Sequence, residues 1–195
     1  MDWYALFKER IYRIFLEVVK AKAGMKDFVY ERKKIENRRR RLRQYKFERR
    51  LQIASTMVSL ARELGNEEQY FCWSQILDSL KRLDVVGMSD DEEVLDIRGQ
   101  QGIIVYEPAF RNVEFNAVYD RVDSTRETEK HIFTPVGRKR LPRLRGQERS
   151  ERSPPVNLPR SYYHPDYLDA MEKGVVANVA IAGDEETAIP RYDIT

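Results

Sequence analysis

The chain has a single cysteine, two histidines and no long apolar run. One cysteine, Cys72, forbids an intrachain disulfide and favours a reducing compartment. Cys72, His131 and His164 supply too few nitrogen and sulfur ligands, with no paired spacing, for a structural zinc site. No apolar stretch approaches the roughly 18 residues of a membrane span. Near the N-terminus Lys8, Glu9, Arg10, Arg13 and Glu17 also interrupt any signal-peptide apolar region. The nine glycines form no Walker-type loop and no GxGxxG run. Nothing supports a Ser-His-Asp arrangement. Asp90, Asp91 and Glu92 are consecutive, whereas the ligands of a metal-dependent nuclease converge from separate elements. The sequence therefore predicts no catalytic residue, no metal and no cofactor. It predicts an intracellular protein without a membrane partner, nuclear if the source is eukaryotic.

What the chain does have is charge, in blocks. Of its 195 residues 34% are charged, against about 25% in an average domain, so much of the surface is solvated. The net charge of +3 hides opposite blocks. From Lys26 to Arg50 there are twelve Lys/Arg and four Asp/Glu, with Arg38-Arg39-Arg40-Arg41 at the centre. Asp90, Asp91, Glu92, Glu93 and Asp96 form an acidic cluster. From Thr125 to Arg160 ten basic residues face four acidic ones. Such alternation points to electrostatic partners or to self-contacts.

The apolar pattern predicts a mainly α fold. Phe7, Ile11, Ile14, Phe15 and Val18 trace one face of a first helix, which Gly24 stops. It is read as packing on the core or on a partner, with a membrane-surface helix as the alternative. A second helix is predicted from Asp27 to Leu64. Its basic first half is sparse in apolar residues, with only Phe28, Ile35 and Leu42. Phe47, Leu51, Ala54, Val58, Ala61 and Leu64 then form an apolar seam. Asn66 and Gln69 suggest a capping box opening a third helix, with Tyr70, Trp73, Ile76, Leu77, Leu80 and Leu83 on its apolar face. The short turn at Gly65-Asn66 predicts an antiparallel helical hairpin. Beyond Gly87 an exposed acidic stretch, a strand at 102–107 and a short helix through Phe115, Val118, Tyr119 and Val122 are expected. Residues 124–160, rich in Arg, Ser and Pro, read as mostly disordered. A last short helix starts at Pro165. The C-terminal half is thus expected to be largely irregular, and composition divides the chain into segments 1–87, 88–123, 124–160 and 161–195.

A basic helix continued by a packing seam predicts a nucleic-acid arm. Arg38, Arg39, Arg40, Arg41, Arg43, Lys46, Arg49 and Arg50 are the expected phosphate contacts. Tyr45 and Phe47 could stack on bases of a single strand. The alternatives are an acidic protein or intramolecular partner, and a plain solvated helix with pairs such as Glu36–Arg40. A basic zipper fits poorly: the seam is short, and the Asn-to-Arg spacing of that family fails, since Asn37 leads to Tyr45. Arg138, Lys139 and Arg140 form a second basic cluster, an import signal or flexible nucleic-acid contact. Ser89 before Asp90, Asp91 and Glu92 is a candidate phosphorylation site. The acidic cluster could also fold back on the basic helix and compete with nucleic acid.

A series of short motifs runs along the chain in order: Lys46-Phe47-x-Arg49-Arg50, Trp73 with Ile76 and Leu80, Gly87-Met88-Ser89-Asp90-Asp91-Glu92, Pro108 with Arg111-Asn112, Gly137-Arg138-Lys139-Arg140, Ser153-Pro154-Pro155, Leu158-Pro159-Arg160-Ser161-Tyr162-Tyr163 and Tyr167-Leu168. In this order, over residues 38 to 170, the chain resembles a group of uncharacterised proteins of mushroom-forming basidiomycete fungi. The resemblance carries no catalytic residue. It implies a nuclear or DNA-associated protein, and an origin near mobile elements. It also implies a docking motif at Leu158–Leu168, for which the alternative is a strap packed on the helices.

The expectation is a non-enzymatic, salt-sensitive, low-specificity nucleic-acid-binding protein. A protein-interaction adaptor, or a mobile-element remnant without selected function, are the other readings. Oligomeric state is left open.

Overall fold

A computed structural model describes residues 3–22, 28–95, 101–133, 141–183 and 189–190. The chain forms two compact units, Met1–Arg40 and Arg41–Thr195. These do not coincide with the four compositional segments. Helix α1 spans Trp3–Lys22 and helix α2 spans Phe28–Glu63. In the first unit the predicted face of α1 is present, yet Ile11, Ile14, Phe15 and Val18 are about half exposed. Val29, Tyr30 and Ile35 of α2 are exposed too, as the thin apolar content of that half predicts. No helix among the described residues is long and apolar enough to cross a membrane.

The core lies in the second unit. Ile53, Ala54 and Ala61 of α2 are buried, and Phe47, Leu51, Met57 and Val58 pack against the core. Leu64 ends the predicted seam but is exposed, because the helix has already turned. Gly65 adopts φ +64, a conformation open to glycine. The Asn66 N–H then donates to the Ala61 carbonyl at 2.9 Å. Helix α3 spans Glu67–Leu83. The Asn66 side chain caps it, accepting from the Gln69 N–H at 3.0 Å. The Gln69 side chain accepts from Trp73 Nε1 at 3.2 Å. Trp73, Ile76, Leu80 and Leu83 are buried, while Tyr70 and Phe71 stay exposed. A 3-10 turn at Val85–Gly87 follows. A Cβ on Gly87 would lie 2.6 Å from Leu83 Cβ, so this close approach requires glycine.

Beyond Gly87 the structure departs from the expectation. The acidic stretch is strand β1, Asp90–Leu95. It pairs antiparallel with β2, Gln101–Tyr106, from Asp90 opposite Tyr106 to Leu95 opposite Gln101. Strand β3, Arg143–Arg145, pairs parallel with β2 and completes a three-stranded sheet of order β1-β2-β3. Helix α4, Phe115–Thr128, buries Phe115, Val118, Tyr119 and Val122. Asn112 caps the turn before it, accepting from the Glu114 N–H at 3.0 Å.

Residues 141–160, within the stretch expected to be disordered, are instead tied down, as are residues 161–164 after them. The Ser150 N–H donates to Glu107 O at 2.8 Å and the Asn112 N–H to Tyr162 O at 2.8 Å. Leu158, Tyr162 and Tyr163 are buried in the core. The Tyr162 ring meets Phe115 edge-on at 4.8 Å, a contact worth about 0.5–1.5 kcal/mol beyond its buried area. Its hydroxyl is 2.9 Å from Ser79 Oγ. The Leu158–Leu168 segment is therefore a strap. A few large apolar anchors hold a stretch whose average composition is polar. Helix α5, Pro165–Glu172, starts at the predicted proline.

Candidate nucleic-acid interface

Residues three and four apart share a helix face. On α2 that rule aligns Arg43, Lys46 and Arg50 with Ile53, Ala54 and Ala61. The stripe that faces the core is thus cationic before it is apolar. Arg43, Lys46 and Arg50 are 7%, 8% and 5% exposed. These three, expected on a phosphate-binding surface, are core residues.

Each is matched by carboxylate. Arg43 Nη1 donates to Asp90 Oδ1. Lys46 Nζ donates to Asp91 Oδ1 at 2.7 Å, to Ser89 Oγ at 2.9 Å and to the Ser89 carbonyl. Arg50 grips Asp123 with two bonds, Nη2 at 2.8 Å and Nε at 3.3 Å, the fork geometry suited to a guanidinium. Its guanidinium also stacks on Tyr119, 4.2 Å from the ring centroid. Arg111 covers the same ring at 4.7 Å and donates to Asn116 Oδ1 at 2.6 Å. An outer tier completes the layer. Arg143 reaches Asp91 at 3.1 Å, Arg152 lies 3.7 Å from Asp90, and the Ser150 hydroxyl donates to Asp90.

The titration behaviour follows from these contacts. Burial by itself raises the Asp90 carboxyl, but the bond from Ser150 and the Arg152 and Arg43 charges outweigh it and hold it below the usual carboxylate range. Burial likewise opposes ionisation of Asp123, and Arg50 overcomes it and pulls the carboxyl down. Burial pushes Lys46 down to about 8 even though Asp91 favours its charged form. For a carboxylate lowered in the fold, stability is complete above the unfolded value, about 4, and is lost as pH falls through the lower native value. The expected outcome is a stability plateau near neutrality and a steep loss below about pH 4. Urea midpoints measured across that range check it. The Asp90→Asn, Asp123→Asn double variant should show a shallower acid limb.

The remaining cations of α2 are placed differently. Arg38, Arg40 and Arg41 are exposed, as are Arg32, Lys33 and Lys34, while Arg39 and Arg49 are half-buried. Tyr45 is 57% exposed, whereas Phe47 packs against the core and is withdrawn from base stacking. The cluster Arg138, Lys139 and Arg140 lies outside the described residues. Ser89 is buried and hydrogen-bonded to Lys46, so a kinase reaches it only if β1 opens. Among the described residues no group of three His, Cys, Asp or Glu is placed to hold a metal ion. His164 caps α5, its Nδ1 accepting from the Asp166 N–H at 3.2 Å. Cys72 is half-buried on α3.

Sequence reasoning missed the roles of Asp123, Arg111 and Arg152. The spacing of Arg43, Lys46 and Arg50 in line with Ile53 and Ala54 was the available signal that these cations point inward. Comparison with protein-family models, with curated proteins and with solved structures finds no match to this chain.

Proposed function

We propose that the chain is a non-enzymatic nucleic-acid-binding protein that tracks phosphates through the exposed cations of α2. One observation carries this reading. Arg32, Lys33, Lys34, Arg38, Arg40 and Arg41 are exposed on one helix, with only Glu31 and Glu36 as acidic residues between Phe28 and Arg41. Carboxylates neutralise Arg43, Lys46 and Arg50 inside the fold, whereas Arg32, Lys33, Lys34, Arg38, Arg40 and Arg41 stay exposed. Cations displayed around a helix displace counterions condensed on a phosphate backbone, with little dependence on base sequence. In this reading α2 and α3, joined through Gly65-Asn66, form the antiparallel hairpin that holds the arm. A nuclear location in a eukaryotic source fits the same chemistry.

Fluorescence anisotropy with labelled duplex DNA, single-stranded DNA and RNA at two salt concentrations tests the proposal. With about six phosphates neutralised, log affinity should fall with log salt at a slope of roughly −4 to −5. Absence of binding at low salt would remove this reading. The second reading, a protein-interaction adaptor, draws on the half-exposed apolar face of α1. Its other support, the Leu158–Leu168 motif, is weakened because Leu158, Tyr162 and Tyr163 are buried.

A further inference from the structure

Resting on the nucleic-acid reading, we infer that the cavity beside Tyr45 receives one unpaired nucleobase, so that the ligand is single-stranded. The cavity holds about 390 Å³, within the roughly 300–1,000 Å³ of small-molecule sites. All of its lining residues belong to the second compact unit. Ile53, Ile132 and Phe133 supply apolar surface, and Ile53 is 2% exposed. Tyr45 lines the cavity with its ring largely in solvent. The ring is thus available on a surface otherwise rich in charge.

The polar lining narrows the ligand. Arg49 and Arg126 border the same cavity, and exposed Arg41 precedes Tyr45 by four residues, one helical turn. A base joined to phosphates uses both features: it stacks on Tyr45 or Phe133, and its backbone meets the arginines. Glu48 and Gln52 add an acceptor and an amide of the kind that read base edges. A base within a duplex is stacked on both faces and enters such a cavity only after leaving the stack. Single-stranded nucleic acid meets no such barrier.

The test compares the affinity of the full chain for a short oligothymidylate and for a duplex of the same length, at one salt concentration. Tyr45→Ala should weaken single-strand binding about tenfold or more, the loss of one stacked base. Tyr45→Phe should restore it to within about twofold, because the stacking face is retained. Duplex binding should stay unchanged in both variants. If wild-type protein binds both ligands and Tyr45→Ala changes neither, or weakens both equally, the base site is wrong while the basic arm stands. If wild-type protein binds neither ligand even at low salt, the arm and the base site fail together. Tyr45 is exposed, so its replacement should leave the melting temperature unchanged.

Discussion

Asp90→Ala should destabilise the protein by about 3–5 kcal/mol, the usual consequence of removing one member of a buried ion pair. Asp90 is 3% exposed, and its carboxylate accepts from Arg43 and Ser150 with Arg152 alongside. Alanine would remove the carboxylate to which the buried Arg43 guanidinium donates. The loss is mostly the desolvation of a buried cation deprived of that countercharge and only partly the missing bond. Replacing both members by apolar residues should be milder. The Arg43→Met, Asp90→Leu pair is expected to lose less than Asp90→Ala, since no buried guanidinium remains at position 43, although Ser150 and Arg152 still lose the carboxylate. Urea denaturation of the two variants beside wild type checks this. A loss below about 1 kcal/mol for Asp90→Ala, a value typical of exposed pairs, would mean that the layer is solvated.

The second large effect concerns binding. Replacing Arg38, Arg39, Arg40 and Arg41 together with glutamine should weaken nucleic-acid affinity about tenfold to a hundredfold at moderate salt and reduce the salt slope by about 2 to 3. The arithmetic follows from three lost phosphate contacts, those of Arg38, Arg40 and Arg41, each contributing about 0.7–0.9 to the slope. Glutamine keeps the helix propensity and much of the side-chain length. Arg38, Arg40 and Arg41 are exposed and Arg39 is half-buried, so the fold should survive. Tight binding after this change would transfer the interface elsewhere on the chain.

Local signals were legible in the sequence because their causes are local. Gly65 and Asn66 end one helix and cap the next, and Pro165 starts α5, through backbone geometry and capping alone. The buried faces of α3 and α4 followed from helical periodicity. The fate of the charges was not legible. Whether Asp90 and Asp91 are solvated depends on Arg43 and Lys46, about forty-five residues earlier. Composition made that strand look exposed, and only the fold supplies its partners. The order within residues 141–160 was missed for a related reason: an apolar anchor such as Leu158 stands among many polar neighbours, so an average over the segment conceals it. Of the short motifs singled out in the sequence, the described residues Trp73, Ile76, Leu80, Arg111, Leu158 and Tyr162 are buried. Such residues report how the chain packs and say little about what it binds.

We propose that α2 divides its cations between a surface that binds phosphate and a layer that holds the fold. The most direct measurement sets the salt slope of single-strand binding beside thermal melting, for the Arg38–Arg41 glutamine variant and for Arg50→Gln. The glutamine quartet should lose slope and keep its melting temperature. Arg50→Gln should melt markedly lower and, at temperatures where it is folded, keep the wild-type slope. Contradiction would be the reverse pattern, with Arg50→Gln losing slope while its stability is unchanged, or the quartet melting lower with its slope intact.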